Sequence, residues 1–183
     1  MAEEKKGRIW VELIIYAVLI VLCVFVVPRY VIQRTVVDGE SMQDNLQDGE
    51  SLLVEKVSKH FTDPDRYDII VFDPPANVKR GDSYFVKRVF GLPGETIQIK
   101  GNDILINGEK IEDEYAKMAM DEMDNMTASE PLTLGEDEFF VLGDNREVSE
   151  DSRAADLGPI KRDMIVGTCI FRIWPLDRFG IPN

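Results

Sequence analysis

The sequence predicts a mainly β protein, with a single N-terminal transmembrane helix ahead of an antiparallel, partly closed β domain. Three observations carry that expectation. Residues 13–28 form an apolar run without a charge. Past Tyr30, short segments alternate or run apolar between Gly, Asp, Pro and Asn-Gly punctuation. Outside the first run, no helix-period stretch is longer than two turns.

The apolar run comes first. Residues 9–27 read IWVELIIYAVLIVLCVFVV, which as a helix spans about 28 Å, close to the hydrocarbon thickness of a bilayer. Trp10 and Tyr30 sit where interfacial aromatics belong. The run ends VVPRYVIQR, with no small-x-small cleavage site, so it reads as a retained signal anchor rather than a cleaved leader. Lys5, Lys6 and Arg8 before it, against Arg29 and Arg34 after it, lean only slightly toward a cytoplasmic N-terminus. The expected organisation is a cytoplasmic tail (1–8), the anchor (9–28) and one folded domain (29–183).

Strands follow in order. RTVVD (34–38), ESLLVEKVS (50–58) and DIIVFD (68–73) come first. SYFVKRVFG (83–91) runs into a Gly-Leu-Pro-Gly turn signal, and TIQIKGNDILINGEKI (96–111) reads as a meander whose second hairpin turns on Asn-Gly. EFFVLGDNR (138–146) and MIVGTCIFRIW (164–174) close the set. The segment 109–130 departs from this pattern. It is acidic and Met-rich, which reads as an exposed loop or as an adaptable insertion touching substrate or partner.

Composition removes several function classes. A formal net charge of −13 lacks the basic footprint nucleic acid requires. The two cysteines, Cys23 in the apolar run and Cys169 near the C-terminus, make no disulfide framework. One histidine, His60 in a polar loop, restricts His-based chemistry, and no segment has zinc or calcium spacing. No cofactor is expected.

What remains is hydroxyl chemistry. Ser41 lies in VVDGESMQDNL, where it is either a turn residue or a nucleophile. Without a histidine, a serine needs another base, and a Ser-Lys pair is an established variant. Such a lysine must sit among apolar groups, since desolvation disfavours the ammonium; bringing it from ~10.4 to ~7–8 costs roughly 3–5 kcal/mol. In SYFVKRVF, strand alternation puts Lys87 on a face with Phe85 and Val89. Lys87 is then a buried base or an edge lysine that snorkels. Arg88 shares the opposite face with Tyr84, Val86 and Phe90, and needs an anionic partner or an edge position. GDNREVSEDSR (143–153) packs Asp144, Arg146, Ser149, Asp151 and Arg153 densely enough for an Arg–carboxylate network that fixes a loop, or for a polar surface turn.

Taken in chain order behind an anchor, GESMQDNL, RYDIIVFDPP, YFVKRVFGLPGETI and GDNREVSEDSR resemble the signature boxes of the type I signal peptidases, over roughly residues 9–175. The short middle region resembles the compact form with one anchor found in Gram-positive bacteria. The resemblance implies a membrane-bound serine endopeptidase that removes signal peptides from secreted preproteins after small-x-small motifs. It implies a core of coiled antiparallel sheets with a small lobe at about 100–136, facing outward from the cell membrane. The implied partners are signal peptides, the lipid bilayer and the protein secretion machinery.

By the same resemblance, Ser41 is the nucleophile and Lys87 the general base. Ser149 hydrogen-bonds and orients the lysine, Asp151 and Arg153 form a bracing ion pair, and Asp144 and Arg146 support the same loop. Gly39 occupies the position where some members carry an oxyanion-binding serine. That leaves the Ser41 backbone N–H for the oxyanion hole, together with a second donor from water or another backbone N–H, while Gly39 allows close approach of substrate backbone. Val37, Met42, Leu46 and Phe85 are expected to wall a shallow apolar pocket, with Met42 near the lipid boundary. Thirteen residues from Pro28 to Ser41 reach at most about 43–47 Å, so the site can face the membrane plane. A self-cleaving Ser-Lys repressor is disfavoured by the anchor and by the absence of a DNA-binding module. The alternative of another class is a non-catalytic, membrane-anchored accessory for surface or pilus assembly.

Overall fold

The computed structural model describes residues 2–79, 81, 83–116 and 126–182. Its first element is a helix, α1 (Ala2–Val21), which continues in wider π-type turns over Leu22–Val31. Pro28 lies inside that continuation. A proline lacks the N–H an α-turn needs and crowds the preceding turn, so a widened helix is the expected response. Among the described residues, Arg8–Val31 is one helix long and apolar enough to cross a membrane, with a mean hydropathy of 2.9 and none of that stretch buried against the domain. A helix apolar on every side fits lipid rather than a half-wet surface.

The chain passes from Val31 straight into the first strand, β1 (Ile32–Val36), with no intervening loop. Lys56 closes the junction: its N–H donates to Val31 O (2.9 Å), and its ammonium donates to Arg29 O (3.0 Å) and Gln33 Oε1 (3.2 Å). Terminal helix carbonyls that would otherwise need water are thereby satisfied.

The other strands are β2 (Ser51–Glu55), β3 (Ile69–Phe72), β4 (Phe85–Gly91), β5 (Thr96–Lys100), β6 (Asp103–Ile106), β7 (Glu109–Lys110), β8 (Leu132–Thr133), β9 (Glu138–Leu142), β10 (Ile160–Lys161) and β11 (Ile165–Trp174). Seven form one sheet in the order β1-β2-β11-β3-β4-β9-β10; four form a second in the order β7-β6-β5-β8. All pairings are antiparallel. The mainly β expectation with an N-terminal apolar helix is borne out. The Asn107-Gly108 hairpin also takes the form its sequence favours, with both residues at positive φ (54° and 86°). Two strands escaped the sequence reading, β8 and β10, each only two residues long. Of the acidic, Met-rich segment, residues 117–125 lie outside the described residues.

Alternation along the strands sorts the core. Ile69, Val71 and Val86 pack with Val37, Met42, Leu46, Leu52 and Val54 beneath the Ser41 loop. Ile70, Phe72 and Val89 pack on the opposite side with Phe139, Val141 and Ile165, and Phe85 leans on that cluster. A third cluster, from Phe90 through Ile97, Ile104 and Phe140, joins the second sheet to the first. Lys87 therefore lies on an interior strand, its backbone opposite Ile70 of β3, and is not an edge lysine.

Candidate active site

Ser41 opens a tight turn of residues 40–46, closed by Gln43 N–H to Glu40 O (3.1 Å) and Leu46 N–H to Met42 O (2.7 Å). Met42 and Leu46 are 1% and 0% exposed, so the turn is nailed to the core by its apolar side while Ser41 faces outward. Two expectations change here. Leu46 does not line the cleft but lies in the core below it, and Met42 is buried rather than set toward lipid. Burying these two side chains, worth about 1.5–3 kcal/mol each, outweighs setting Leu46 into the cleft or Met42 toward lipid; of the two, only Met42 still borders the cleft.

Lys87 comes to the same point from β4. Its Nζ donates to Ser41 Oγ at 2.8 Å and to Val86 O at 3.2 Å, and lies 5.0 Å from the Phe85 ring centroid. The residue is 3% exposed. Burial pushes its pKa down to about 8; the carboxylates of Asp151, Glu150 and Asp144 pull upward against that. An amine near 8 is neutral for a useful fraction of the time at neutral pH, as a general base must be. Cys169, by contrast, is a buried thiol pushed up to about 12 and offers no rival nucleophile. His60 is exposed in a short turn after β2.

Behind the pair lies a buried ionic frame. Arg153 binds Asp151 with two parallel bonds (Nε–Oδ1 2.8 Å, Nη2–Oδ2 2.9 Å) and donates to Arg146 O at 2.7 Å. Asp151 Oδ2 also accepts the Gly143 N–H at 3.0 Å. Asp144 and Arg146 do not pair with one another. Asp144 takes Arg88 in a second bidentate pair (2.8 and 2.7 Å), while Arg146 reaches Asp113 (2.7 Å). Arg88 stacks on Tyr115 at 3.7 Å, and Arg146 lies 4.9 Å from the Phe90 ring. The reason is direction: Arg88 leaves β4 on the face opposite Lys87 and arrives at Asp144, which leaves Arg146 to find an anion in the segment after β7. Arg88 was recognisable as an arginine lacking an anion; Asp113 and Tyr115 carried no local signal.

One further expectation needs correction. Ser149 Oγ is buried and has no hydrogen-bond partner among the described residues, so the implied bond to Lys87 is not formed here. Instead, the Lys87 ammonium is directed at Ser41 Oγ and the Val86 carbonyl. The Gly39 N–H is engaged by Asp48 Oδ1 at 2.9 Å, so it is not free to serve as the second oxyanion donor either. At φ +97° that position suits glycine, and no atom stands within 4 Å of where a Cβ would project. The Ser41 N–H has no protein partner among the described residues.

Ser41 and Lys87 open on a cleft of about 380 Å³ between residues 37–42 and 83–87, with Val37, Met42 and Phe85 also lining it and Val148 and Glu150 completing it. β9 pairs with β4 only from Arg88 onward, so the start of β4 leaves one strand edge unpaired along the cleft.

The family model described as "Signal peptidase, peptidase S26" matches residues 8–174. The chain is 39% identical over 158 residues to "Signal peptidase I" of Leptolyngbya laminosa, covering 84% of this chain and 74% of that one. It is 36% identical over 183 residues to "Signal peptidase I P" of Bacillus subtilis subsp. natto, covering 96% and 95%. A crystal structure of a signal peptidase I from Enterococcus faecalis V583 is 30% identical and covers 58% of this chain and 97% of that one, with a TM-score of 0.45.

Proposed function

The chain belongs to the signal peptidase family, peptidase S26, and is a signal peptidase hydrolase; from that premise we propose that it cleaves signal peptides with a Ser41–Lys87 dyad. The observation that carries the dyad is the 2.8 Å contact between a buried amine near 8 and the Ser41 hydroxyl. Neutral Lys87 takes the Ser41 proton as Oγ attacks the scissile carbonyl. The Ser41 N–H faces the oxygen that becomes negative. Lys87, now an ammonium, returns the proton to the leaving amine, and an acyl-enzyme remains. Water, deprotonated by the same lysine, hydrolyses that ester and frees Ser41. Asp151, Arg153, Asp144 and Arg146 hold the geometry, and Ser149 would join them only if its hydroxyl turned to the Lys87 amine.

The cleft supports an extended substrate. The unpaired start of β4 and the residues after β1 offer backbone groups to a peptide laid between them. Val37, Met42 and Phe85 bound an apolar recess suited to alanine, hence cleavage after small-x-small motifs. The anchor at 9–28 holds a domain of residues 29–183 on the extracytoplasmic side, where the secretion machinery delivers precursors and their apolar segments lie in the bilayer.

A fluorogenic peptide with Ala-x-Ala before the cut tests this reading. Because the base works only when uncharged, kcat/KM should rise with pH through about 8 and then level. A rate still climbing at pH 10 would mean that Lys87 is not the desolvated base. Gly143→Ala gives a second, geometric check. A Cβ there would collide with the Ser149 side chain and with the Ser41 carbonyl oxygen. The hydroxyl can rotate, but Ser149 Cβ is equally in the way and the Ser41 carbonyl is backbone, so the chain at Ser149, at Ser41 or at both must shift. Misplacement on the order of 1 Å costs about 100-fold, so kcat of this variant should fall by about that factor.

A further inference from the structure

The C-terminal tail carries two arginines that end on the nucleophile turn. After β11 the chain enters a short turn (Leu176–Arg178) and doubles back, with Arg172 N–H donating to Gly180 O at 2.7 Å and Gly180 N–H to Arg172 O at 3.1 Å. Little apolar packing holds it: Leu176, Phe179 and Ile181 are 71%, 58% and 69% exposed. Its polar contacts are another matter. Arg178 Nη2 donates to Asp44 O (3.2 Å) and Asn45 O (2.9 Å), and Arg172 Nη1 donates to Asn45 O (2.9 Å). Glu50, 2% exposed, lies between the two guanidinia, 2.7 Å from Arg178 Nη1 and 3.4 Å from Arg172 Nη1.

These contacts complete a two-sided grip on residues 40–46. On one side Asn145 donates to Ser41 O (3.0 Å) and Glu40 O (3.2 Å). On the other, the tail arginines hold the carbonyls of Asp44 and Asn45. The Asn45 side chain donates to Asp144 Oδ2 (3.3 Å), the carboxylate that binds Arg88 beside Lys87. Asn45 thus ties the tail, the nucleophile turn and the strand of the base into one network. Charge-assisted bonds from a planar, forked guanidinium fix direction as well as distance.

We propose that Arg178, with Arg172 and Glu50, is a positioning residue that sets the Ser41 turn against Lys87 through the Asp44 and Asn45 carbonyls. This rests on the dyad reading for its catalytic consequence, but the grip itself can be measured without it. In the full-length chain in detergent micelles, Arg178→Ala should lower kcat for the Ala-x-Ala peptide about 10- to 100-fold, with KM changed less than about threefold and Tm by less than about 3 °C. Arg178→Lys, which donates to one carbonyl but not two, should recover part of the loss. Leu176→Ala, from the same tail turn, should match the parent. Amide hydrogen exchange supplies the second arm. Residues 42–46 should exchange about tenfold faster in Arg178→Ala while residues 85–91 stay unchanged. Unaltered exchange at 42–46 overturns the proposal whatever the activity, as does a kcat within twofold of the parent or a loss that appears in KM alone. A fall in Tm of more than about 8 °C would make Arg178 a stability residue and would also overturn it. If the parent fails to cleave while the exchange result holds, the fault lies in the dyad reading and not in the grip.

Discussion

Lys87→Met should abolish cleavage and at the same time stabilise the protein. In the proposed dyad, Ser41→Ala and Lys87→Met each remove a partner that the acyl transfer cannot replace, so kcat on a secreted precursor should fall by about 10³-fold or more. Lys87→Arg should be equally inactive, because a guanidinium does not give up its proton in this range. The stability effect follows from the depressed pKa. The unfolded chain holds a lysine proton up to about 10.5, whereas the folded chain releases it near 8. Between these values the unfolded state binds more protons, so stability rises with pH across that window; below it the full penalty of about 3 kcal/mol is present. An unbranched apolar side chain escapes the penalty. Tm of Lys87→Met at pH 7 should therefore exceed that of the parent, and the gap should narrow as pH approaches 10.5. A Lys87 variant that keeps near-parental activity at pH 8, or a Lys87→Met protein less stable than the parent, would overturn the assignment.

Asp151→Ala should be the most damaging single change to the frame. Asp151 and Arg153 are 0% and 1% exposed in their side chains, and Asp151 also holds the Gly143 N–H. Removing the carboxylate leaves a guanidinium buried without its anion, a loss of about 3–5 kcal/mol. For a domain of this size that is a fall in Tm of roughly 10 °C or more. Asp151→Asn separates charge from shape. The Asp151 charge is the largest influence raising the Lys87 pKa against burial, so its removal should drive the lysine lower still. The midpoint of the pH–rate profile should move below about 8 in whatever fraction remains folded. A profile that moves to higher pH, or stability that is unaltered, would show that the pair does not act on Lys87 as described.

What could be read from the sequence was what is local. Alternation in SYFVKRVF was enough to set Lys87 with Phe85 and Val89 and to mark Arg88 as needing an anion, because side-chain direction in a strand repeats every two residues. The density of charge in GDNREVSEDSR announced a network. Its wiring was not legible. Arg88 reaches Asp144 across 56 positions and Arg146 reaches Asp113 across 33, and no periodicity encodes such partners. Asp144 and Arg146 are near neighbours in sequence, yet they face different cations and anions because the loop turns between them. The tail arginines were invisible for the same reason, since their acceptors are backbone carbonyls 127 to 134 positions away. Leu46 was misread as a wall of the cleft because an apolar residue near a site gives no hint of whether it lines the opening or fills the floor. β8 and β10 are too short to show a pattern.

The junction at Val31–Ile32 turns the anchor into a lever arm. Lys56 stitches the last helical carbonyls to the end of β2, and β2 is hydrogen-bonded along the whole of β1, so the rod and the first sheet are joined without a slack loop. Were the rod seated in a bilayer as proposed, its setting there would bear on the pose of the Ser41 turn, and a few glycines spliced in at that seam should let the two swing independently.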